Sequence, residues 1–183
     1  MKKLAQVSPF AVALALAAGH ASAIERQHHL GVGAGLSMLK IDDKPTLDVG
    51  GGLGVHYAYG VTDQFNFMLE GTSSIVARNI RETTPTTRPS TVESFAFGGG
   101  YVLDVLRWVP YVGILASGYA MTGGSLTQPK YLAGVQIAAG LDYQITRSVA
   151  VGVAIRQHML FSDISTYPTY TQAFLRTEYM WGW

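Results

Sequence analysis

The last fifteen residues of the chain, Thr169 to Trp183, carry the strictest pattern in the sequence. They read TYTQAFLRTEYMWGW, and their character alternates with a period of two. One face carries Thr171, Ala173, Leu175, Thr177, Tyr179, Trp181 and Trp183. The other face carries Gln172, Phe174, Arg176, Glu178, Met180 and Gly182. Because successive side chains of a β-strand point to opposite faces, this stretch predicts a strand.

This strand ends on three aromatic side chains that share one face, Tyr179, Trp181 and Trp183. Such an end resembles the C-terminal strand of bacterial outer-membrane β-barrels. The resemblance implies that the three side chains form an assembly signal for the barrel-assembly machinery and part of an aromatic girdle at the membrane interface. A buried edge strand of a soluble sandwich is the alternative interpretation.

The first residues have the pattern of an export signal. Two lysines precede an apolar run over residues 10–18, and residues 21–23 read ASA, an A-x-A cleavage site. The run is too short to cross a bilayer as a helix, which takes about 20 apolar residues. The sequence therefore predicts a cleaved signal peptide over residues 1–23 and one mature domain over residues 24–183.

The composition favours strands in a membrane. Only 14% of the residues are charged, 11% are aromatic, 21 are glycine and none is cysteine, whereas about a quarter of an ordinary soluble chain is charged. Few charges, many aromatics and alternation without a helix-length apolar run are expected of a membrane β-barrel. Without the two lysines of the predicted signal, 13 − 2 leaves 11 basic residues against 12 acidic ones. This balance gives no reason to expect a nucleic-acid partner.

Alternation recurs along the mature chain and divides it into eight strands. Tyr59, Tyr101 and Tyr143 each precede a short turn, and 101 − 59 and 143 − 101 both give a spacing of 42 residues. Each repeat is one hairpin. The short turns are predicted at residues 61–64, 104–109 and 144–148, and the longer loops at residues 39–48, 77–91, 120–130 and 159–168. Alternating short turns and long loops are typical of bacterial outer-membrane barrels.

The expected fold is all-β: an eight-stranded antiparallel up-and-down transmembrane β-barrel behind a cleavable signal peptide. The facing of the strand near residues 109–119 stays open, because Val112 and Ile114 compete with Tyr111 and Leu115 for the apolar face.

Glycines decide which face of the other strands points inward. The face opposite the apolar one carries Gly31, Gly33, Gly35, Gly50, Gly52, Gly54, Gly98, Gly100, Gly134, Gly140 and Gly152. These would make a poor soluble surface, which should be rich in charge. They suit the narrow interior of an eight-stranded barrel. The chain is therefore similar to the small outer-membrane barrels of the OmpX and OmpA-transmembrane-domain type, whose members are adhesins, structural proteins, narrow pores or lipid A-modifying enzymes.

A few inward polar side chains are candidates for a lumen network. They are Glu70, Arg156, Arg176, Glu178, His56 and Gln136. Two glutamates and two arginines cancel, so we expect a neutral network that plugs the lumen and no single-sign ring that selects ions. Glu70 should pair with Arg156 or Arg176, and Glu178 should share that network. A narrow pore or a carrier for small molecules is the alternative function.

The sequence gives only a weak signal for catalytic residues. Lipid A deacylases of this barrel type use a His-x-Ser pair with an acidic residue, and the candidates here are His158, Ser162 and Asp163. Four residues along a strand separate two side chains by about 13 Å, too far for a nucleophile and its base. His28 and His29 lack further ligands at a useful spacing. We expect no catalytic residue, no metal and no cofactor.

The loop over residues 77–91 carries the basic cluster Arg78, Arg81 and Arg88. These guanidiniums could contact lipopolysaccharide phosphates or an acidic external partner, although a solvated loop is the simpler interpretation. The expected surroundings are outer-membrane lipids and lipopolysaccharide. We expect a monomer in the bacterial outer membrane with a structural or surface-interaction role.

Overall fold

The computed structural model describes residues 26–41, 47–77, 87–103 and 107–182 of the chain. The predicted signal peptide, Arg78, Arg81 and Trp183 lie outside these ranges. In the part of the chain that is described, no helix is both long and apolar enough to cross a membrane.

Eight antiparallel strands close into a barrel in the order β1 to β8, each paired with its neighbours in sequence and β8 paired with β1. The strands are β1 (His28–Lys40), β2 (Leu47–Gly60), β3 (Phe65–Val76), β4 (Thr91–Val102), β5 (Trp108–Thr122), β6 (Lys130–Gln144), β7 (Val149–Met159) and β8 (Thr169–Trp181). A single 3₁₀ turn, Phe161–Asp163, lies between β7 and β8. The eight-stranded up-and-down prediction is confirmed.

The strand register fixes the tilt of the barrel wall. Successive partners starting at His28 are Tyr59, Phe67, Gly99, Ile114, Ile137, Gln157, Thr171 and Met38. The path returns to β1 ten residues further on, because 38 − 28 gives 10. With eight strands, this stagger corresponds to a strand tilt of about 40°, within the range usual for closed barrels.

Many large apolar side chains of the strands point away from the barrel axis. Leu53, Ile75 and Leu175 are 68%, 69% and 70% exposed on the outer wall. The sequence leaves open which face of β5 points inward. In the structure Val112 and Ile114 point outward, whereas Tyr111 and Leu115 are buried in the lumen.

The glycines of the inward face let the strands approach closely. A Cβ added at Gly98 would lie 2.2 Å from the carbonyl oxygen of Ile114 on the neighbouring strand, whereas one added at the outward Gly118 would meet nothing within 4 Å. A lumen this narrow therefore accepts large side chains only where a neighbouring strand offers a glycine or another small residue.

Two of the short turns share one construction, which explains part of the 42-residue repeat. Thr62 accepts a hydrogen bond through Oγ1 from the backbone N–H of Phe65 at 3.0 Å, and Thr146 accepts one from Ser148 at 3.2 Å. A threonine hydroxyl that caps the turn in this way closes a short connection without a glycine. We call this side of the barrel the turn end and the opposite side the loop end.

Aromatic side chains pair across neighbouring strands at the turn end. The His28 and Trp181 rings stack with centroids 5.3 Å apart, Trp108 packs on Tyr143 at 4.8 Å, and Phe65 meets Tyr101 edge-on. Tyr179 stacks on Trp181. Aromatic rings with an apolar body and a polar edge favour a boundary between lipid and water, which is the position that the predicted girdle would take.

Candidate functional site: the barrel lumen

A bidentate ion pair crosses the middle of the lumen. Arg156 on β7 donates from Nε to Oε2 of Glu70 on β3 at 2.6 Å, and from Nη2 to Oε1 at 3.3 Å. Gln136 on β6 also donates to Glu70. The guanidinium lies 5.0 Å from the centroid of the Phe174 ring. These side chains are buried, so three strands are tied together in a medium where charged hydrogen bonds are strong.

A second charged cluster fills the half of the lumen near the turn end. Arg176 donates from Nε to Oδ1 of Asp142 at 2.8 Å, and its Nη2 reaches both Asp142 and Glu178. Its Nη1 donates to the Tyr111 hydroxyl at 2.9 Å. All five donors of a guanidinium need partners when it is buried, and this arrangement occupies each of its three nitrogens.

Two histidines flank the carboxylate of Glu178. Nδ1 of His29 lies 2.8 Å from Oε1 of Glu178, and Nε2 of His56 lies 3.8 Å from Oε2. A cavity of about 30 Å³ borders both rings and the side chain of Asn66. A space of this size holds no more than one or two waters.

Of the two partners expected for Glu70, the structure pairs it with Arg156. Arg176 belongs to the second cluster. Asp142, which is not part of the predicted network, accepts the Arg176 bonds instead. Residues at similar heights on separate strands need not meet, because the tilt and stagger of the wall decide which side chains converge. Asp142 also corrects the charge count: the two clusters hold three carboxylates against two guanidiniums.

A neutral hydrogen-bond chain lies above the central pair, toward the loop end. The Tyr119 hydroxyl donates to Nδ1 of His158 at 3.0 Å, and Nε2 of His158 donates to Oε1 of Gln172 at 3.1 Å. The amide nitrogen of Gln172 in turn lies within 3.1 Å of the hydroxyl oxygens of Thr72, Ser74 and Tyr170, to which its two N–H groups can donate.

This chain separates the residues of the candidate deacylase triad. Both ring nitrogens of His158 are engaged inside the lumen. Ser162 instead bonds the backbone of Ala133, and Asp163 pairs with Lys130. The three residues therefore do not form a nucleophile, base and acid relay. Within the described ranges, no group of three or more His, Cys, Asp or Glu side chains could hold a metal ion.

An apolar layer lies in the lumen at the loop end. Its buried members are Leu39, Ile41, Val76, Val92, Tyr119, Met121, Leu132, Leu160, Tyr167 and Tyr170. We call this layer the cap. Tyr167 donates from its hydroxyl to the backbone carbonyl of Thr87, which ties the last loop to the loop before β4. Burial raises the pKa of Tyr167 to about 12, so the hydroxyl keeps its proton and remains a donor.

Arg88, which was expected in the basic cluster of the loop, is instead buried at the loop end. Its guanidinium is buried and paired with Asp48 on β2, and its backbone N–H donates to Ser125 Oγ at 3.0 Å. A buried, paired arginine offers no charge to an external anion. Arg78 and Arg81, the other two members of the predicted cluster, lie outside the described residues.

A concavity of about 1530 Å³ does not belong to the lumen. It is lined mainly by outward-facing side chains such as Val32, Leu53 and Leu175. It is therefore part of the outer wall.

Comparison with known proteins agrees with this architecture. The family described as "Outer membrane protein beta-barrel domain" matches residues 9–176. The comparison with curated proteins gives no match.

Three solved structures resemble the barrel over nearly their whole length. The N-terminal β-barrel domain of Pseudomonas aeruginosa OprF is 11% identical, with a TM-score of 0.61 over 86% of this chain and 98% of that one. Ail, the attachment invasion locus protein of Yersinia pestis, is 14% identical, with a TM-score of 0.59 over 86% and 99%. Neisserial surface protein A is 13% identical, with a TM-score of 0.62 over 85% and 97%. At these identities the likeness shows the fold alone. The family model matches most of the chain, residues 9–176. The chain therefore belongs to the outer membrane protein beta-barrel domain family and is a transmembrane β-barrel of the bacterial outer membrane.

Proposed function

We propose that this protein is a closed barrel with a structural or surface-interaction role in the outer membrane and that it performs no catalysis. The observation that carries the proposal is the pair of Glu70 and Arg156, which joins opposite parts of the wall across the lumen. An eight-stranded barrel has an interior just wide enough for side chains to fill, so a pair that crosses it blocks the path.

The layers on either side of this pair reinforce the block. Toward the loop end, the cap removes polar contacts that a hydrated ion needs, and apolar constrictions oppose wetting. Toward the turn end, Arg176 and Asp142 occupy the axis. An ion would have to disrupt two buried clusters of paired charges and an apolar layer.

Planar-bilayer recording tests the closed lumen. We expect refolded wild-type protein to give no stable openings under conditions in which a porin control conducts. Solute uptake by proteoliposomes checks the same point for uncharged molecules. Stable openings or solute uptake would instead support the narrow-pore or carrier function.

The surface-interaction part of the proposal concerns the external loops. Ail of Yersinia pestis has been solved in complex with the heparin analogue sucrose octasulfate, a polyanion. In our chain the loop that precedes β4 contains Arg78 and Arg81, and we propose that these two arginines contact phosphates of lipopolysaccharide or an acidic external partner.

Binding of lipopolysaccharide and of sucrose octasulfate to Arg78→Gln/Arg81→Gln protein tests this contact. The exposed Arg147 of a short turn supplies the control Arg147→Gln, which lies at the other end of the barrel. We expect weaker, less salt-dependent binding in the double variant only. Equal binding by all three proteins would remove the loop from the proposal.

The two ends of the chain have roles in its delivery to the outer membrane. We propose that residues 1–23 direct export and are cleaved, and that the barrel-assembly machinery receives the chain through the aromatic face of β8, including Tyr179 and Trp181. The mature protein then resides among outer-membrane lipids as a monomer without a cofactor. N-terminal sequencing of protein purified from outer membranes checks the cleavage.

A further inference from the structure

The wall of the barrel is uneven at the loop end. β6 begins at Lys130 and pairs with β5 from that point. Its pairing with β7 begins only at Val135, opposite Met159. The first residues of β6 therefore project beyond β7, with one backbone edge facing away from the β5–β6 hairpin. Backbone groups left unpaired inside the hydrocarbon region of a membrane carry a large cost in free energy.

The 3₁₀ turn Phe161–Asp163 covers this edge. Oγ of Ser162 accepts from the backbone N–H of Ala133 at 2.9 Å and donates to its carbonyl oxygen at 3.3 Å. Lys130, at the start of β6, pairs with Asp163 in the same turn. The turn is thus held against the unpaired backbone edge of β6.

The turn and its flanking residues have two distinct faces. Leu160 is fully buried in the cap. Phe161 and Ile164 are 57% and 52% exposed. Side chains three residues apart lie on the same side of a 3₁₀ turn, so these two point in one direction. Tyr131 on the outer face of β6 is 77% exposed and lies two residues from Ala133, whose backbone is bound by Ser162 of the turn. We call Tyr131, Phe161 and Ile164 the β6 patch.

The height of the β6 patch can be measured along β6 itself. Tyr131 and Tyr143 share the outward face and are separated by 143 − 131 = 12 residues. At about 3.4 Å per residue and a tilt of about 40°, this spacing corresponds to roughly 30 Å along the barrel axis. The apolar band of an outer-membrane barrel is about 25 Å tall. Because Tyr143 belongs to the girdle at the turn end, Tyr131 lies at the opposite boundary of the membrane.

We propose that the β6 patch is a lipid anchor, in which Phe161 and Ile164 insert into the outer leaflet at the boundary between headgroups and acyl chains. The occupant is lipid because the patch continues the lipid-facing wall of β6 without a break, from Ile137 through Val135 and Ala133 to Tyr131. The polar side of the anchor comes from Asp163 of the turn and Lys130 of β6.

Site-directed spin labelling suits this question because the chain contains no cysteine. Nitroxides are attached to Phe161→Cys and Ile164→Cys in protein reconstituted into lipid vesicles. The references are Leu53→Cys on the lipid-facing wall and Ser165→Cys, an exposed neighbour of Ile164. Collision rates with oxygen, which concentrates in lipid, and with a water-soluble nickel chelate are then compared.

We expect the oxygen-to-nickel ratio at positions 161 and 164 to lie several-fold above that at position 165 and to approach the ratio at position 53. Ratios equal to that at position 165 would place the patch in water and overturn the proposal. Low accessibility to both reagents would also overturn it, because the patch would then be covered by protein.

A second variant guards against an effect of the label itself. With the label at position 164, Phe161→Ser should lower the oxygen-to-nickel ratio by several-fold, because the neighbouring apolar contact with lipid is lost. Heat-modifiable migration on gels should stay unchanged and show that the barrel is intact. An unchanged ratio in the folded variant would mean that Phe161 does not hold the turn in lipid.

Discussion

Arg156 and Glu70, 86 residues apart in the chain, form a bidentate ion pair across the lumen, with Nε 2.6 Å from Oε2. Glu70 faces His56 on the neighbouring strand and Arg156 lies over the Phe174 ring. Neither charge has contact with bulk water. Whatever disturbs one member therefore leaves the other charge buried and unpaired.

The first prediction follows from this pairing. Glu70→Gln and Arg156→Met should each lower the free energy of unfolding by about 3–5 kcal/mol, because each leaves a buried partner without its counter-charge. The double variant should cost less than the sum, with a coupling of roughly 0.5–3 kcal/mol. Urea unfolding of refolded protein in lipid vesicles measures all three values.

The control cycle uses Glu70→Gln with Arg176→Met. Arg176 binds Asp142, Tyr111 and Glu178, so this pair should show clearly weaker coupling than the first. Equal coupling in both cycles would mean that the two charged clusters act as one network and that the pairing is not specific.

The second prediction concerns a close contact between β4 and β5. Gly98→Ala should destabilise the barrel by about 1–3 kcal/mol, because the new Cβ meets backbone atoms of Ile114 and Leu115 that cannot rotate away. Gly118→Ala on the outer wall is the matched control, since its Cβ has open space. The midpoints of thermal unfolding should fall for the first variant and stay level or rise for the second. A similar fall in both would point to backbone effects and exclude the clash as the cause.

The alternation of apolar and small or polar side chains predicts most of the fold, because each strand of a closed barrel has only two faces. A shift of one residue in the pairing register would exchange these faces. The runs of inward glycines and the spacing of Tyr59, Tyr101 and Tyr143 were enough to set strand number and hairpin order. On β5, both faces carry apolar side chains, so the periodicity does not show which face points inward. Its Tyr111 points inward because the hydroxyl binds Arg176, a contact made by a strand far away in sequence.

The lumen contacts were less predictable than the wall for a geometric reason. Alternation shows that Glu70, Asp142, Arg156 and Arg176 face inward, but the ten-residue stagger decides which of them meet. The stagger is a sum over all eight ladders, and an error in one short turn displaces every later strand. Arg88 shows a related limit, because its partner Asp48 lies on β2, 40 residues away in the sequence.

The third prediction separates stability from binding at Arg88. Arg88→Gln should cost about 3–5 kcal/mol because Asp48 stays buried without its counter-charge. Its affinity for lipopolysaccharide should equal that of wild type below the unfolding transition, since the guanidinium is not exposed. Asp48→Asn/Arg88→Gln should recover part of the lost stability. Weakened binding with unchanged stability would return Arg88 to the external basic cluster.

The last prediction uses the pH dependence of the 3₁₀ turn. The hydrogen bond from Lys130 is the main cause that holds the pKa of Asp163 below its usual value. A carboxyl whose pKa is lower in the folded protein stabilises the fold above its unfolded pKa of about 3.9, and this contribution is lost as the pH falls through the folded value. Amide protection of residues 160–167 should therefore be constant from neutral pH down to about 5 and decrease below about 4.

Hydrogen exchange at matched intrinsic rates measures this decrease, with the strand amides of β6 as an internal reference. Asp163→Asn removes the ionisable group, so its protection should be lower at neutral pH and should vary little between pH 7 and pH 3. A wild-type profile that is flat over this range, or an acid-induced loss that persists in Asp163→Asn, would show that the contact between Lys130 and Asp163 does not hold the turn on β6.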